Sequence, residues 1–252
     1  MGINIHIQLN RNLFLRDPQD TKLGRTIIQH SIYLIDEIGI ENFTFKKLAE
    51  KIGSAEASIY RYFENKHLLL IYLLCWYWEW MKYLLEINTN NIEDPRKKLQ
   101  VAILTIVDSA MRQEAIDFVD EDILHRIVVA ESTKAYYTKQ VDEENKQGFF
   151  LTYKALSLKI AEIIREVNPG FAYPRALAST LLDMAKNHVH YAQHLPSLTD
   201  VRLSGDDYSQ VKNLLMEFAF KILDATPARF SMHNDAQPGE KLTSRAEAKQ
   251  SG

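Results

Sequence analysis

The chain of 252 residues is 46% hydrophobic and 25% charged, the composition of a folded globular protein long enough for one large or two smaller domains. Its formal net charge of −3 excludes a protein that is basic throughout, and a lone cysteine, Cys75, excludes a disulfide framework and a multi-cysteine zinc or iron–sulfur site. Nine glycines and seven prolines are too few turn residues for a β-sandwich or barrel, so an all-α fold is predicted.

The first twenty residues are predicted to form an extended arm. Residues 3–9 alternate apolar and polar side chains as a strand does, and Asp17-Pro18 is typical of a turn. From Thr21 the apolar spacing becomes helical, and Gly39 is a suitable C-terminal stop for this first helix. The N-terminus has neither the basic start nor the apolar run of a signal peptide, so we expect a cytoplasmic protein.

Two short helices and one long helix are predicted next. Thr44 is a natural N-cap for a helix that ends at Gly53, a second short helix fits residues 55–62, and Asn65 begins a long helix. Within that helix, residues 68–78 are eleven consecutive apolar residues, whereas a membrane-spanning helix needs about 20. The run therefore predicts a buried core helix, and no membrane contact is expected.

The rest of the chain has helical periodicity and no internal repeat. The predicted segments are a helix from Pro95, residues 123–130, residues 149–167, a helix from Pro174 to Leu195, and a last helix between Gly205 and Pro227. Aliphatic residues become scarce after Pro227, so residues 227–252 are predicted to be a mobile tail.

Residues 44–69 carry the most informative pattern. Two short helices joined by a tight glycine turn are typical of a helix-turn-helix, whose second helix enters the major groove of DNA. An ordinary αα-hairpin is the alternative, and the modest basic excess of this segment does not decide between them. Against the hairpin stands a group of hydroxyl and cationic side chains that suit phosphate oxygens. They are Ser58, Tyr60, Arg61, Tyr62 and Lys66.

This segment resembles the N-terminal domain of the TetR family of bacterial transcription regulators. In that family a Thr opens the second helix, Leu/Ile-Ala and Gly follow, and a small-residue recognition helix leads to Tyr-x-x-Phe-x-x-Lys-x-x-Leu. The matching residues here are Thr44, Leu48-Ala49, Gly53, Tyr60, Phe63, Lys66 and Leu69. The resemblance covers about residues 21–70. It implies an N-terminal arm at 1–20, a helix-turn-helix DNA-binding domain at 21–66, a ligand-binding and dimerisation domain at 67–226, and the tail.

The resemblance also implies which side chains contact a double-stranded DNA operator. The predicted DNA-binding residues are Thr44, Lys46, Ser54, Ala55, Glu56, Ser58, Tyr60, Arg61, Tyr62 and Lys66, with Phe63 in the core. Two of them depart from the family pattern. Ala55 stands where a helix-capping Ser or Thr is common, so Ser54 is expected to cap instead. Glu56 places an acid on the groove side, where it accepts from a cytosine amino group or repels phosphates.

The last two helices carry apolar stripes with a 3.5-residue spacing that suits extended helix-on-helix packing. The residues are Ala178, Leu181, Ala185, His188 and Ala192 on one helix, and Tyr208, Val211, Leu215, Phe218 and Ile222 on the other. Packing within one chain and packing against a second subunit both remain open. The resemblance implies a homodimer, because this family dimerises through its last two helices, and a small-molecule effector that changes the spacing of the two DNA-reading domains.

The long fourth helix has an unusual density of aromatic residues. Most of them are predicted to be core, and some are predicted to line a pocket for an apolar or aromatic effector. The ligand-binding candidates, with facing residues from later helices, are Trp76, Trp80, Val107, Met111, Tyr153 and Met184.

No cofactor, metal or enzymatic site is predicted. His190 and His194 have a spacing that can hold a metal, but no third ligand is evident, and no hydrolase, zincin, Walker or dinucleotide motif occurs. The predicted function is a ligand-responsive transcription regulator, most simply a repressor. The alternative is an all-helical small-molecule or protein-binding module whose helix-turn-helix no longer reads DNA, an interpretation that Glu56 supports.

Overall fold

The computed structural model describes residues 6–108, 117–205 and 207–225, and these residues are arranged as eleven α-helices without a β-strand. The helices are α1 (Lys22–Asn42), α2 (Phe45–Ile52), α3 (Glu56–Tyr60), α4 (Lys66–Thr89), α5 (Pro95–Asp108), α6 (Glu121–Glu131), α7 (Thr133–Tyr136), α8 (Val141–Lys146), α9 (Leu151–Val167), α10 (Pro174–His194) and α11 (Ser209–Asp224). We call α1–α3 the head and α4–α11 the body, with the first turn of α4 joining the two. No described helix is long and apolar enough to cross a bilayer. Met111, residues 1–5 and the predicted tail at 227–252 lie outside the described residues.

The described part of the N-terminal segment, residues 6–20, packs against the head and contains no strand. Residues 6–10 have no regular structure, and short 3-10 turns occupy Arg11–Leu13 and Pro18–Asp20. The buried Gln19 side chain accepts from the Ile7 N–H at 3.0 Å and donates to the Ile7 carbonyl at 2.8 Å. Gly24 allows this packing, since a Cβ there would lie 2.2 Å from the Pro18 carbonyl oxygen. The sequence leaves open whether this segment braces the head, contacts DNA or does neither, and its contacts with α1 agree with bracing.

Helix α1 is interrupted at Gly39, the residue at which the sequence predicts that it ends. Gly39 has φ +73 and ψ 157, and a further helical turn continues to Asn42. We call residues 39–43 the Gly39 break. Two distant side chains hold it: Lys66 of α4 donates to its carbonyls, and Glu131 of α6 accepts from the Ile40 N–H at 3.3 Å. The position of the segment that leads into α2 therefore depends on α4 and α6.

The body is built around α4. This helix is buried from Leu69 to Trp78, which confirms the predicted core helix. It packs against α5 and α9, with α10 on α9 and α11 on α10 and α5. Head and body meet where α1 packs along α6, and there Arg126 donates to both carboxylate oxygens of Asp36 at 2.8 and 3.0 Å.

Candidate nucleic-acid interface

The turn between α2 and α3 has the geometry predicted for a helix-turn-helix. Thr44 caps α2, because its Oγ1 accepts from the Lys47 N–H at 3.2 Å. Gly53 ends α2 in the left-handed region at φ 64 and ψ 36, a conformation that favours glycine. The Thr44 hydroxyl proton is not used by the cap, so it remains a donor for a phosphate oxygen.

The start of α3 differs from the prediction. Ala55 occupies the N-cap position without any side-chain hydrogen bond, and the Ser54 N–H donates to the Ala49 carbonyl at 3.0 Å. The expectation that Ser54 caps α3 is therefore wrong: the backbone of Ser54 continues the turn after Gly53, one residue before the cap position. The helix is also shorter than predicted, Glu56–Tyr60 against residues 55–62.

Eight of the ten predicted DNA-binding residues have accessible side chains on the head. Thr44, Lys46, Ala55, Tyr60 and Arg61 are exposed, while Ser54, Glu56 and Ser58 are half-buried. Tyr60 is 47% exposed, and its ring packs edge-on against Phe45 at 5.0 Å, so α2 fixes its position. These eight residues lie between the N-cap of α2 and the residue that follows α3, and we call them the candidate surface.

Tyr62 does not belong to that surface, which corrects its predicted role. Its side chain is only 2% exposed, and its hydroxyl shares a 2.8 Å hydrogen bond with the hydroxyl of Thr21. Thr21 caps α1 by accepting from the Gly24 N–H at 2.9 Å. The Tyr62 carbonyl also accepts from the Leu15 N–H at 2.8 Å. Tyr62 thus joins the N-terminal segment to the start of α1 and cannot reach a phosphate from this position.

Lys66 is also engaged inside the protein, contrary to the prediction of a phosphate contact. Its Nζ donates to the carbonyls of Ile40, Glu41 and Phe43 at 2.8, 2.9 and 3.2 Å. An ammonium has three N–H donors, so these three acceptors use all of them. Lys66 therefore holds the Gly39 break to the first turn of α4.

The cations of the head divide into paired and unpaired groups. Lys51 forms a 2.6 Å ion pair with Glu37, and Lys47 donates to the Asn42 carbonyl at 2.9 Å. Lys46 and Arg61 are exposed and form no ion pair or hydrogen bond with another described residue. These two are the cations best placed to meet a phosphate backbone.

The predicted effector-binding residues are mostly inside the body. Trp76, Trp80 and Val107 are 1%, 4% and 2% exposed, and Met184 is half-buried. The ring of Tyr153 lies 4.7 Å from Trp78 and 5.5 Å from Tyr136, in an aromatic cluster that was not predicted. The Trp76 indole N–H is buried and has no hydrogen-bond partner among the residues described. These side chains remain candidates, and Met111 falls outside the described residues.

Five of the ten residues in the two apolar stripes are buried in the core of a single chain. The predicted dimer interface is therefore wrong at those five positions. Ala178, Leu181, Ala185, Val211 and Leu215 are at most 6% exposed. They face inwards because α10 packs on α9 and α11, and α11 on α5, within the same chain.

The other members of the stripes are accessible to different degrees. Phe218 and Ile222 are 48% and 41% exposed on α11, and Tyr208 and Ala192 are half-buried. His188 is half-buried, with Nδ1 2.9 Å from the Thr199 hydroxyl, and burial lowers its pKa below the ordinary value. Phe218 and Ile222 are therefore accessible for contact with a second subunit.

A cleft of about 510 Å³ lies between α1 of the head and α6 and α10 of the body. His125 lines it and is buried, with Nδ1 2.7 Å from the Tyr77 hydroxyl. Burial lowers the pKa of His125 to about 4, and the positive charges of Lys186 and Arg126 add to this effect. Neither His125 nor Glu131 was singled out from sequence, because the contacts that define them come from helices far apart in the chain.

Known proteins match this chain most specifically in the head. Residues 27–73 match the model of the bacterial regulatory proteins, tetR family. Tetracycline repressor protein class A from transposon 1721 of Escherichia coli is 39% identical over 51 residues, which are 20% of this chain and 24% of the repressor. The chain thus spans about a quarter of the length of this curated relative.

Solved structures resemble the fold over more than three quarters of the chain. The structure of AibR in complex with isovaleryl coenzyme A and operator DNA has a TM-score of 0.55 at 16% identity, covering 77% of this chain and 96% of AibR. The fatty acid degradation regulator FadR from Bacillus halodurans has a TM-score of 0.52 at 18% identity, covering 79% of this chain and 93% of FadR. The predicted fold class, all-helical with an N-terminal helix-turn-helix, is confirmed.

Proposed function

We propose that this chain, a member of the TetR family of bacterial regulatory proteins, is a ligand-responsive transcription regulator that binds a palindromic operator as a homodimer. The proposal depends on the α2–α3 pair, in which Thr44 caps α2 and Gly53 forms the turn that leads to α3. The side chains of Thr44, Lys46, Tyr60 and Arg61 are exposed around this turn. Hydroxyls and unpaired cations in this arrangement suit the backbone of a duplex, while Ser58 and Glu56 on α3 are the candidates for base edges.

The first test is binding to the DNA immediately upstream of the chain's own gene, titrated with salt and competitor DNA. We expect competitor-resistant binding by the unmodified protein. Arg61→Ala is expected to weaken binding about tenfold and to reduce the slope of log K against log salt by about 0.9 for each phosphate that is no longer neutralised. The matched control is Arg175→Ala, which removes an exposed arginine from the start of α10.

Two outcomes would contradict this assignment. If Arg61→Ala and Arg175→Ala bind with equal affinity and slope, Arg61 does not contact the backbone. If the unmodified protein binds only weakly and salt abolishes that binding, either the operator lies elsewhere in the genome or the second candidate function is favoured. That candidate is a helical binding module in which Glu56, at the first position of α3, repels phosphates.

Dimerisation is supported by the two large apolar side chains that α11 leaves exposed. We expect the unmodified protein to have the mass of a dimer in light scattering, and Phe218→Asp with Ile222→Asp to yield a folded monomer, because charges at both positions oppose burial. Ile87→Asp is the control, since Ile87 is 55% exposed on α4. A dimer that survives the double substitution would place the interface elsewhere.

The effector is proposed to be an apolar or aromatic molecule whose binding releases the protein from the operator. Support comes from the aromatic side chains inside the body and from the unpartnered Trp76 indole N–H, which suits a ligand with a hydrogen-bond acceptor. The AibR structure, which holds isovaleryl coenzyme A together with operator DNA, supports a ligand-bound body on this fold. All three tryptophans lie on α4, so an effector bound there is expected to change the intrinsic fluorescence at the concentration that releases DNA.

A further inference from the structure

The N-terminal segment packs over Tyr62, a residue that the sequence assigned to the DNA backbone. The Leu15 N–H donates to the Tyr62 carbonyl at 2.8 Å, and the guanidinium carbon of Arg16 lies 5.7 Å from the centre of the Tyr62 ring. Tyr62 itself is buried, whereas Arg16 is exposed. At this position the protein therefore offers solvent a guanidinium in place of the tyrosine hydroxyl.

The guanidinium of Arg16 is available to a partner from outside the chain. It forms no ion pair or hydrogen bond with another residue in the described ranges, and its contact there is the cation–π contact with Tyr62. Its five N–H donors are thus left for an external acceptor. A planar guanidinium held on a buried ring is well suited to a phosphate group, which it can bind through two parallel hydrogen bonds.

Arg16 lies beside one end of the candidate surface. Arg61, a member of that surface, is the residue before Tyr62 in the chain and directly follows α3. Arg16 reaches the same tyrosine through space from the N-terminal segment. Two exposed arginines from distant parts of the sequence therefore adjoin Tyr62 at the end of α3.

The nearby acids do not neutralise Arg16. Oδ2 of Asp17 and Oδ1 of Asp20 each lie 3.5 Å from Nε2 of His6. Glu64 lines a separate cavity that faces α8. None of these three carboxylates forms an ion pair with Arg16 in the part of the chain that the structure describes, so the positive charge remains available to DNA.

We infer that Arg16 contacts a DNA phosphate, and that the N-terminal segment thereby extends the DNA-binding surface beyond the helix-turn-helix. This inference rests on the proposed function. The segment then has two roles, because the bond from Leu15 to Tyr62 braces the head while Arg16 meets the backbone. Such a contact carries no sequence information; it adds affinity and fixes the position of α3 on the duplex.

The test is a salt titration of DNA binding by fluorescence anisotropy. The probes are a short duplex of unrelated sequence at low salt, to which backbone contacts are also made, and the duplex from upstream of the chain's own gene. Arg16→Gln is expected to weaken binding to both about tenfold and to reduce the slope of log K against log salt by about 0.9. Arg16→Lys keeps the charge and is expected to retain the slope.

The matched control is Arg11→Gln, which makes the same change in the same segment. Arg11 is exposed but lines the cavity that faces α8, so this variant is expected to bind both duplexes like the unmodified protein. Arg16 is exposed as well, so none of these variants is expected to change the melting temperature measured by circular dichroism.

A phosphate scan of the upstream duplex distinguishes direct contact from an indirect effect on α3. Each phosphate in turn is replaced by an uncharged methylphosphonate. At one phosphate the replacement is expected to weaken binding of the unmodified protein and of Arg61→Ala, but not of Arg16→Gln, because that variant has already lost the contact.

The inference is overturned if Arg16→Gln and Arg11→Gln have the same affinity and slope on the unrelated duplex. It is also overturned if Arg16→Lys loses as much of the slope as Arg16→Gln, since the ring contact and not the charge would then matter. A protein that binds the unrelated duplex without preferring the upstream one would count against the proposed operator and leave the comparison of variants decisive for Arg16. A protein that binds neither duplex would overturn both.

Discussion

Lys66→Met is expected to lower the free energy of unfolding by about 3 kcal/mol without changing the salt dependence of DNA binding. The reason is that Lys66 gives its three N–H donors to the carbonyls of Ile40, Glu41 and Phe43. A single hydrogen bond to a charged group contributes about 1.5–3 kcal/mol, and bonds that share one donor group are not additive. Methionine fills a similar volume but leaves these carbonyls unsatisfied.

Lys46→Met is the matched variant, because it makes the same chemical change at an exposed lysine. It is expected to change stability by less than about 0.5 kcal/mol, as surface substitutions usually do. Its effect is expected instead in the slope of log K against log salt, which should fall by about 0.9 for each phosphate that the lysine neutralises. Urea unfolding and anisotropy titrations at four salt concentrations measure both quantities. If Lys66→Met reduces this slope and leaves stability unchanged, Lys66 contacts the DNA backbone and not the carbonyls of the Gly39 break.

Acidification is expected to remove about 3 kcal/mol of stability through His125 alone as the pH falls from about 6.5 to about 4. Burial in the folded chain lowers the pKa of His125 to about 4, and Lys186 and Arg126 repel its charged form. The unfolded chain therefore takes up a proton on this residue at a higher pH than the folded chain. This contribution is fully present above pH 6.5 and is lost as the pH drops towards 4.

The measurement is chemical unfolding at pH 7.5, 6.0 and 5.0 for the unmodified protein and for His125→Leu. The variant loses the bond between Nδ1 and the Tyr77 hydroxyl, so it is less stable at pH 7.5, but its stability should fall less steeply with acidification. His194→Gln, which removes an exposed imidazole on α10, is expected to keep the steep dependence. Parallel curves for His125→Leu and the unmodified protein would contradict the assignment.

The ends of several helices could be predicted from sequence because local chemistry determines them. Thr44 caps α2, Gly53 ends it in a left-handed conformation, and Pro95 and Pro174 stand at the first positions of α5 and α10. The start of α3 could not be predicted in this way. Ala55 offers no side-chain cap, and the backbone after Gly53 decides where the helix begins.

The roles of Tyr62 and Lys66 could not be predicted from their places in a motif. Spacing identifies which residues match a pattern, but the direction of a side chain depends on what packs around it. Lys66 turns to the Gly39 break, and Tyr62 to Thr21, because the end and the start of α1 offer polar partners there. Both partners are more than twenty residues away in sequence.

The apolar stripes show a related limit of sequence interpretation. Their 3.5-residue spacing correctly indicates helix-on-helix packing, but the same spacing serves a partner in the same chain or in another chain. Leu181 and Leu215 are buried by neighbouring helices of their own chain, whereas Phe218 and Ile222 stay exposed. Only the packing of α10 and α11 on α9 and α5 separates the two groups.

The Gly39 break has a consequence for exchanging DNA-reading domains between regulators. A chimaera that grafts residues 22–65 onto a foreign body would lose the ammonium of Lys66 and the carboxylate of Glu131, both of which hold this break in place. The Ile40 N–H would then have no acceptor in the recipient, and three carbonyls would have no donor. A successful graft would have to bring the first turn of α4 and the last turn of α6 with it, so the unit of exchange is larger than the helix-turn-helix and is discontinuous in sequence.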